Sequence, residues 1–250
     1  MKPFRFQQFE IQQSKQVFRV GTDGVLLGAM ANVSGRVLEV GTGTGLISLM
    51  LAQRFPKSLI TAIDIDPNAA QLAQTNFQNS PFNDRLGVLN IDFKALNPPY
   101  PFDYIVSNPP YFETNASQKD ILARQKLELD FPTLISKSYA LLSPKGALIV
   151  IIPSTEAEGF IEKALLQGFF LKHIINIYGI QGGALKRNLL ELSKINLPTQ
   201  STDFTIESSP RQYSPQYLSL TQNFHPQRGE HSFQLRDFIH SCGNHLDRSW

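Results

Sequence analysis

With a single cysteine, Cys242, among its 250 residues, the chain cannot close an internal disulfide, and a reducing cytoplasm is the expected compartment. Histidine is scarce, and four of the five (His225, His231, His240 and His245) fall in the tail beyond Phe224. His231, His240, Cys242 and His245 have irregular spacing and no second cysteine pair beside them, so no metal site is expected. No apolar run approaches the length of a membrane-spanning helix. The opening Met1-Lys2-Pro3-Phe4-Arg5-Phe6-Gln7 also lacks the apolar core and small-residue cleavage site of a secretory signal, so neither membrane nor export is expected. A net charge of +2 and a pI of 8.6 are too mild to mark a nucleic-acid binder by themselves. Internal repeats and low-complexity tracts are missing too. What is present, 42% hydrophobic and 18% charged residues over this length, suits one large soluble α/β domain with a substantial core.

The most informative stretch is Asn108-Pro109-Pro110-Tyr111, which follows the apolar run Phe102-Asp103-Tyr104-Ile105-Val106-Ser107. It sits at the carboxyl end of an expected buried strand, where open α/β sheets keep their ligand crevices. Two prolines hold φ near −65° and carry no N–H, which leaves the Pro109 carbonyl as a fixed outward acceptor beside the Asn108 amide oxygen. Two converging acceptors suit an amino group with two hydrogens to give, and Tyr111 can stack on the planar ring that carries it. An Asn-Pro turn closing a strand is the structural alternative.

Upstream, Arg36-Val37-Leu38-Glu39-Val40 reads as a first buried strand that runs into Gly41-Thr42-Gly43-Thr44-Gly45 and then into an amphipathic helix from Leu46. Glycines let a ligand approach the backbone, and the helix N-terminus presents free N–H groups. The GxGxG spacing differs from the GxGxxG of the dinucleotide fingerprint, which tilts the ligand away from NAD. A second strand, Leu59-Ile60-Thr61-Ala62-Ile63, ends at Asp64, where an acid can accept both hydroxyl protons of a ribose. Asp66-Pro67 reads as an N-cap followed by proline at the first helical position. After a third strand, Leu86-Gly87-Val88-Leu89-Asn90, the pair Asp92-Phe93 is a candidate for holding an adenine by a hydrogen bond and an apolar contact.

Together these residues resemble the S-adenosylmethionine-dependent methyltransferases of the Rossmann-like class, among the members that methylate amino or amide nitrogens. The segment Phe18-Arg19-Val20-Gly21-Thr22-Asp23-Gly24-Val25-Leu26-Leu27-Gly28-Ala29 is similar to the signature of bacterial valine-tRNA adenine-N6 methyltransferases, which modify the adenine immediately 3′ of the anticodon. The likeness extends through Ser107-Asn108-Pro109-Pro110-Tyr111-Phe112 and Lys186-Arg187-Asn188-Leu189-Leu190-Glu191-Leu192 to about Phe224. It implies a seven-stranded, mostly parallel sheet with one antiparallel strand and helices on both faces. It also implies donor contacts from Thr22, Asp23, Glu39, Gly41, Gly43, Gly45, Asp64, Asp92, Phe93 and Asn108, with catalysis by Asn108, Pro109, Pro110 and Tyr111. The segment with Thr22 and Asp23 is expected to close over the cofactor.

Residues 1–20 carry Lys2, Arg5, Lys15 and Arg19 against one acid, Glu10, interleaved with Phe4, Phe6, Phe9 and Phe18. The phenylalanines are expected to bury against the domain and the cations to meet RNA phosphate, with Lys119, Arg124 and Lys126 serving the same role beside the active site. Helices are expected at about 130–142 and at 154–167, the second capped by Ser154, around a central strand Ala147-Leu148-Ile149-Val150-Ile151-Ile152. Strands over 171–178 and 187–196 have no helix between them and must pair antiparallel. Leu197-Pro198-Thr199-Gln200-Ser201-Thr202 reads as a surface loop. Residues 1–224, with an arm over about 1–22, form the expected domain, and 225–250 an atypical tail in which 233–240 reads as one short helix.

The expected chemistry is direct methyl transfer to adenine N6 of valine tRNA by a monomer. No general base is called for, in keeping with the lack of histidine before His173. Open alternatives are a protein glutamine amide or an rRNA guanine N2 as acceptor, an RNA-binding protein without catalysis, and an NAD-binding reductase.

Overall fold

The computed structural model describes residues 2–17, 20–109 and 129–224. The fold is organised by five parallel strands, of which the central ones carry β-branched and leucine-rich runs that are buried while the edge strand, Leu86–Asn90, is largely exposed. The five are β3 (Arg36–Val40), β4 (Leu59–Asp64), β5 (Leu86–Asn90), β6 (Phe102–Ser107) and β7 (Leu142–Pro153), after a small separate pair, β1 (Phe4–Arg5) and β2 (Glu10–Ile11). The chain runs outward from β3 through β4 to β5, then returns to lay β6 and β7 on the other side of β3. That reversal between β3 and β6 creates a topological switch point, the place where such sheets open a crevice. Register brings the relevant ends level, with Val40 opposite both Ile63 and Ser107, and Asp64 opposite Asn90.

Helices α1 (Thr22–Met30), α2 (Leu46–Arg54) and α3 (Pro67–Gln78) precede the return, and α4 (Phe131–Leu141) and α5 (Ser154–Gln167) follow it. Asp130 caps α4 by accepting from the Thr133 N–H at 2.6 Å. Ser154 is the first residue of α5 rather than its cap, because its hydroxyl donates to the Leu185 carbonyl at 3.0 Å. The stretch 143–146, between the expected helix and the expected strand from Ala147, is an irregularity inside β7, whose pairing with β6 jumps from Leu142 to Ala147. Strands β8 (Phe170–Ile180) and β9 (Leu185–Ser193) form the expected antiparallel hairpin, and β9 is the reversed strand beside β7.

Among the described residues the sheet has nine strands rather than seven. β10 (Gln200–Ser209) pairs parallel with β8, and β11 (Gln212–Tyr213) closes a tight turn before α6 (Pro215–Thr221). Gln200, Ser201 and Thr202, expected in a loop, are the first residues of β10. Their polarity hid the strand, since an edge strand keeps one side wet and needs few apolar residues; Ile206 supplies its buried contact.

Of the arm phenylalanines, Phe4, Phe6 and Phe9 pack as expected, and Phe18 lies outside the described residues. The three are buried in the same cluster as Phe224, and the Gln7 N–H donates to the Phe224 carbonyl at 2.9 Å. Among the described residues, no helix is long and apolar enough to cross a membrane.

Candidate active site

The glycine loop at the end of β3 is an open cradle. Gly41 and Gly43 take left-handed φ values of 76° and 55°, and a Cβ built on either meets nothing within 4 Å. A ligand can therefore lie directly on this backbone. Gly45 serves packing instead. A Cβ there would stand 2.5 Å from Phe77 Cε1 and 3.3 Å from Ala73 Cβ, so its absence lets α3 lie against the loop. The loop is pinned from β4, where the Ile63 carbonyl accepts from Gly41 and Thr42 N–H groups, both at 3.0 Å.

Two acids brace the cradle. Asp64 Oδ2 accepts from the Gly43 N–H at 2.9 Å and Oδ1 from the Asp66 N–H at 3.0 Å. Burial pushes its pKa up, against the lowering effect of these bonds. Each oxygen retains a lone pair, so support of the loop and acceptance from a ribose are compatible. Glu39 is fully buried; its Oε2 accepts from Thr42 Oγ1 at 2.8 Å, from the Ser48 N–H at 3.1 Å and from the Ser48 hydroxyl. Its Oε1 has no partner among the described residues. Burial, first of all, raises its pKa from 4.5 to about 7.

Asp66 is the N-cap of α3, accepting from the Asn68 N–H at 2.9 Å, as its Asp-Pro context suggests. Asp92 also caps, accepting from the Lys94 N–H at 2.8 Å at a single 3-10 turn, Phe93–Ala95. The Phe93 ring is 4% exposed and lies in the core with Val40, Ile63 and Leu96. Packing in the core accounts for that ring's burial.

Beside the cradle, the Ser107 hydroxyl donates to the Val40 carbonyl at 2.9 Å and locks the end of β6 to the end of β3. Asn108 comes next. Its Oδ1 is shielded from solvent and has no hydrogen-bond partner among the described residues. A buried carbonyl oxygen without a donor is unfavourable unless something else supplies one. Pro109 is buried, while Pro110 and Tyr111 lie outside the described residues, as do Arg19, Lys119, Arg124 and Lys126. Lys15 is exposed, and Arg5 spends its charge on Glu10 at 2.8 Å.

Thr22 and Asp23 open α1, and Asp23 is paired with Arg187 of β9 at 3.0 Å. That partner is invisible in sequence, being 164 residues away. Asn76 was missed for the same reason. From α3 it accepts from the Gln12 N–H at 2.8 Å and donates to the Thr44 carbonyl at 2.8 Å, tying arm to cradle. Among the described residues there is no cluster of three or more metal-ligating side chains.

This fold and cradle define a class I S-adenosylmethionine-dependent methyltransferase. The sequence profile of the Methyltransferase small domain matches residues 13–172. A predicted O-methyltransferase from Agrobacterium tumefaciens superposes with a TM-score of 0.63 at 19% identity, over 82% of this chain and 98% of its own. A methyltransferase from Pyrococcus furiosus gives 0.56 at 19% identity, over 74% and 89%. More specific are relatives named tRNA1(Val) (adenine(37)-N6)-methyltransferase: one from a Flavobacteriaceae bacterium (strain 3519-10) is 50% identical over 90% of this chain and 99% of its own. Another, from Vibrio parahaemolyticus, is 41% identical over 90% and 95%. The chain belongs to the tRNA1(Val) (adenine(37)-N6)-methyltransferase family.

Proposed function

We propose that this protein methylates N6 of adenine 37, next to the anticodon of valine tRNA, in the cytoplasm and as a monomer, with S-adenosylmethionine as donor. The observation that carries the proposal is the buried Asn108 Oδ1 at the end of β6, without a partner among the described residues and level with the glycine cradle. The residues fit the donor: open space above Gly41 and Gly43 admits its backbone contacts, and Asp64 faces the same end of the sheet to accept ribose hydroxyls. When bound, the donor supplies an electrophilic methyl group on a cationic sulfonium.

An exocyclic aromatic amine is a poor nucleophile because its lone pair is delocalised into the ring. Asn108 Oδ1 and the Pro109 carbonyl accept its two hydrogens, which raises electron density on nitrogen and aligns it for in-line attack. Fixed acceptors of this kind lower a barrier by several kcal/mol, on the order of one lost oxyanion-type contact each. Tyr111 stacks on the unstacked base, which leaves a loop more easily than a duplex. Glu39 and Asp64 keep the cradle in shape, and Lys15, Arg19, Lys119, Arg124 and Lys126 meet phosphates. No metal or basic side chain is required, since the proton leaves an already alkylated, acidified nitrogen.

The decisive test is incubation of unmodified valine tRNA transcripts with donor, followed by mass spectrometry of the nucleosides. N6-methyladenosine from the transcript with adenine 37, and none when guanine replaces it, is the expected result. N2-methylguanosine in rRNA, or methylated glutamine in a protein digest with tRNA untouched, would overturn it.

A further inference from the structure

Helix α1 lies parallel to α2 and close against it. A Cβ on Gly24 would stand 3.1 Å from Leu46 Cδ2, one on Gly28 would stand 2.8 Å from Met50 Cβ, and Arg54 Nη1 donates to the Gly28 carbonyl at 3.0 Å. Because contacts advance together along both helices, the N-terminus of α1 stands at the same end as that of α2. Thr22 and Asp23 are therefore set beside the glycine cradle that precedes Leu46.

Arg187 reaches this place from the sheet. The β7–β9 ladder sets it opposite Pro153, beyond the Val150–Ser107 pair that marks the end of β6. Leu189, two positions along β9, packs in the cluster that contains α1 and α2, so Arg187 projects from the same face. Its Nε donates to Asp23 Oδ2 at 3.0 Å, with the two side chains 8% and 9% exposed, and its Nη1 donates to the Lys186 carbonyl at 3.1 Å.

Anchoring α1 does not account for this pair. Val25, Leu26 and Leu27 are already buried at 1%, 0% and 0% exposure, and a buried ion pair contributes no more stability than well-packed apolar side chains of the same volume. A cation at the N-terminal end of a helix also opposes the helix dipole. What the pair does achieve is to fix the direction of one carboxylate.

We propose that Arg187 is a positioning residue of the methyl-donor site, holding the Asp23 carboxylate beside the glycine cradle in the orientation that receives the ammonium group of the donor's amino-acid end. This role rests on Asp23 being a donor contact. The test compares the unaltered protein with Asp23→Asn, Arg187→Met, Arg187→Lys and the Asp23→Asn/Arg187→Met double variant, by titration calorimetry with S-adenosylmethionine, filter binding to tRNA and steady-state kinetics.

Arg187→Met should weaken donor binding about tenfold or more, raise donor KM with little change in kcat at saturation, and leave tRNA affinity within about twofold. Arg187→Lys should recover part of the loss, because it restores the charge but not the guanidinium geometry. The double variant should bind donor no worse than Asp23→Asn alone, since both substitutions break one interaction. Normal donor affinity in Arg187→Met with weakened affinity in Asp23→Asn overturns the role of Arg187 alone. Normal affinity in both removes Asp23 from the donor site, and the proposal with it. Equal loss of donor and tRNA binding with a lowered Tm assigns the pair to the fold instead. Failure of the unaltered protein to bind donor would sink the methyl-transfer function itself.

Discussion

Asn108 and Glu39 each hold a buried oxygen without a partner among the described residues, and the two lead to different predictions because one is neutral and the other titrates. On the proposed mechanism, Asn108→Ala removes the acceptor of the substrate amine. Donor affinity should stay near normal in calorimetry while kcat falls by about two orders of magnitude. Comparable turnover in that variant would end its proposed role. Glu39 acts on stability through pH. Below pH 4.5 its carboxyl is protonated in both folded and unfolded chains; between 4.5 and about 7 the unfolded chain gives up the proton while the folded one keeps it. Stability should therefore fall as pH rises through that window and level off above it, by an amount on the order of 3 kcal/mol. Glu39→Gln should flatten this part of the profile in urea melts taken from about pH 4 to pH 8. Asp64 and Gly43 were readable as candidate site residues from their spacing, whereas the mutual hydrogen bond that makes them one unit was not.

At the scale of elements, the glycine cradle is shaped as much by α3 as by β3. Gly45→Ala forces a Cβ to 2.5 Å from Phe77 and keeps it at a φ of 82°. Strain at positive φ and overpacking together should cost about 2–4 kcal/mol. Thermal melts should show the loss, and a midpoint unchanged from the parent would place slack between α2 and α3. Strand β10 shows why the far edge was illegible. Its opening residues are polar because they border solvent, and only the presence of β8's unpaired edge makes them a strand. The parallel strands β3, β4 and β7, by contrast, carry their burial in their own apolar runs.

For the whole molecule, the arm and the end of the described chain meet: Phe224 is 3% exposed, shares a core cluster with Phe4 and accepts from the Gln7 N–H. A chain ending at 224 is expected to keep its urea midpoint and its donor affinity. One ending at 220 should lose roughly 3–5 kcal/mol with the Phe224 side chain, and equal midpoints for the two would move the domain boundary inward. The net charge of +2 hides how cations are placed. Replacing Lys15, Arg19, Lys119 and Arg124 together by glutamine should weaken tRNA binding and reduce the slope of log K against log salt by about 2–3, as expected if most of them meet phosphate. An unaltered slope would put the RNA on another face.

Much of this protein was determined along the chain itself. A strand followed by Gly41-Thr42-Gly43-Thr44-Gly45, an acid ending the next strand, and Asn108-Pro109 following another are local patterns, because each joins a buried run to the residues that end it. Tertiary structure alone decided that Val40, Ile63 and Ser107 would stand level, that Asn76 would join arm to cradle, and that Arg187 would meet Asp23. Those contacts depend on strand register and helix packing. An asparagine or arginine in an amphipathic segment carries no mark of the partner that the fold will bring to it from 64 or 164 residues away.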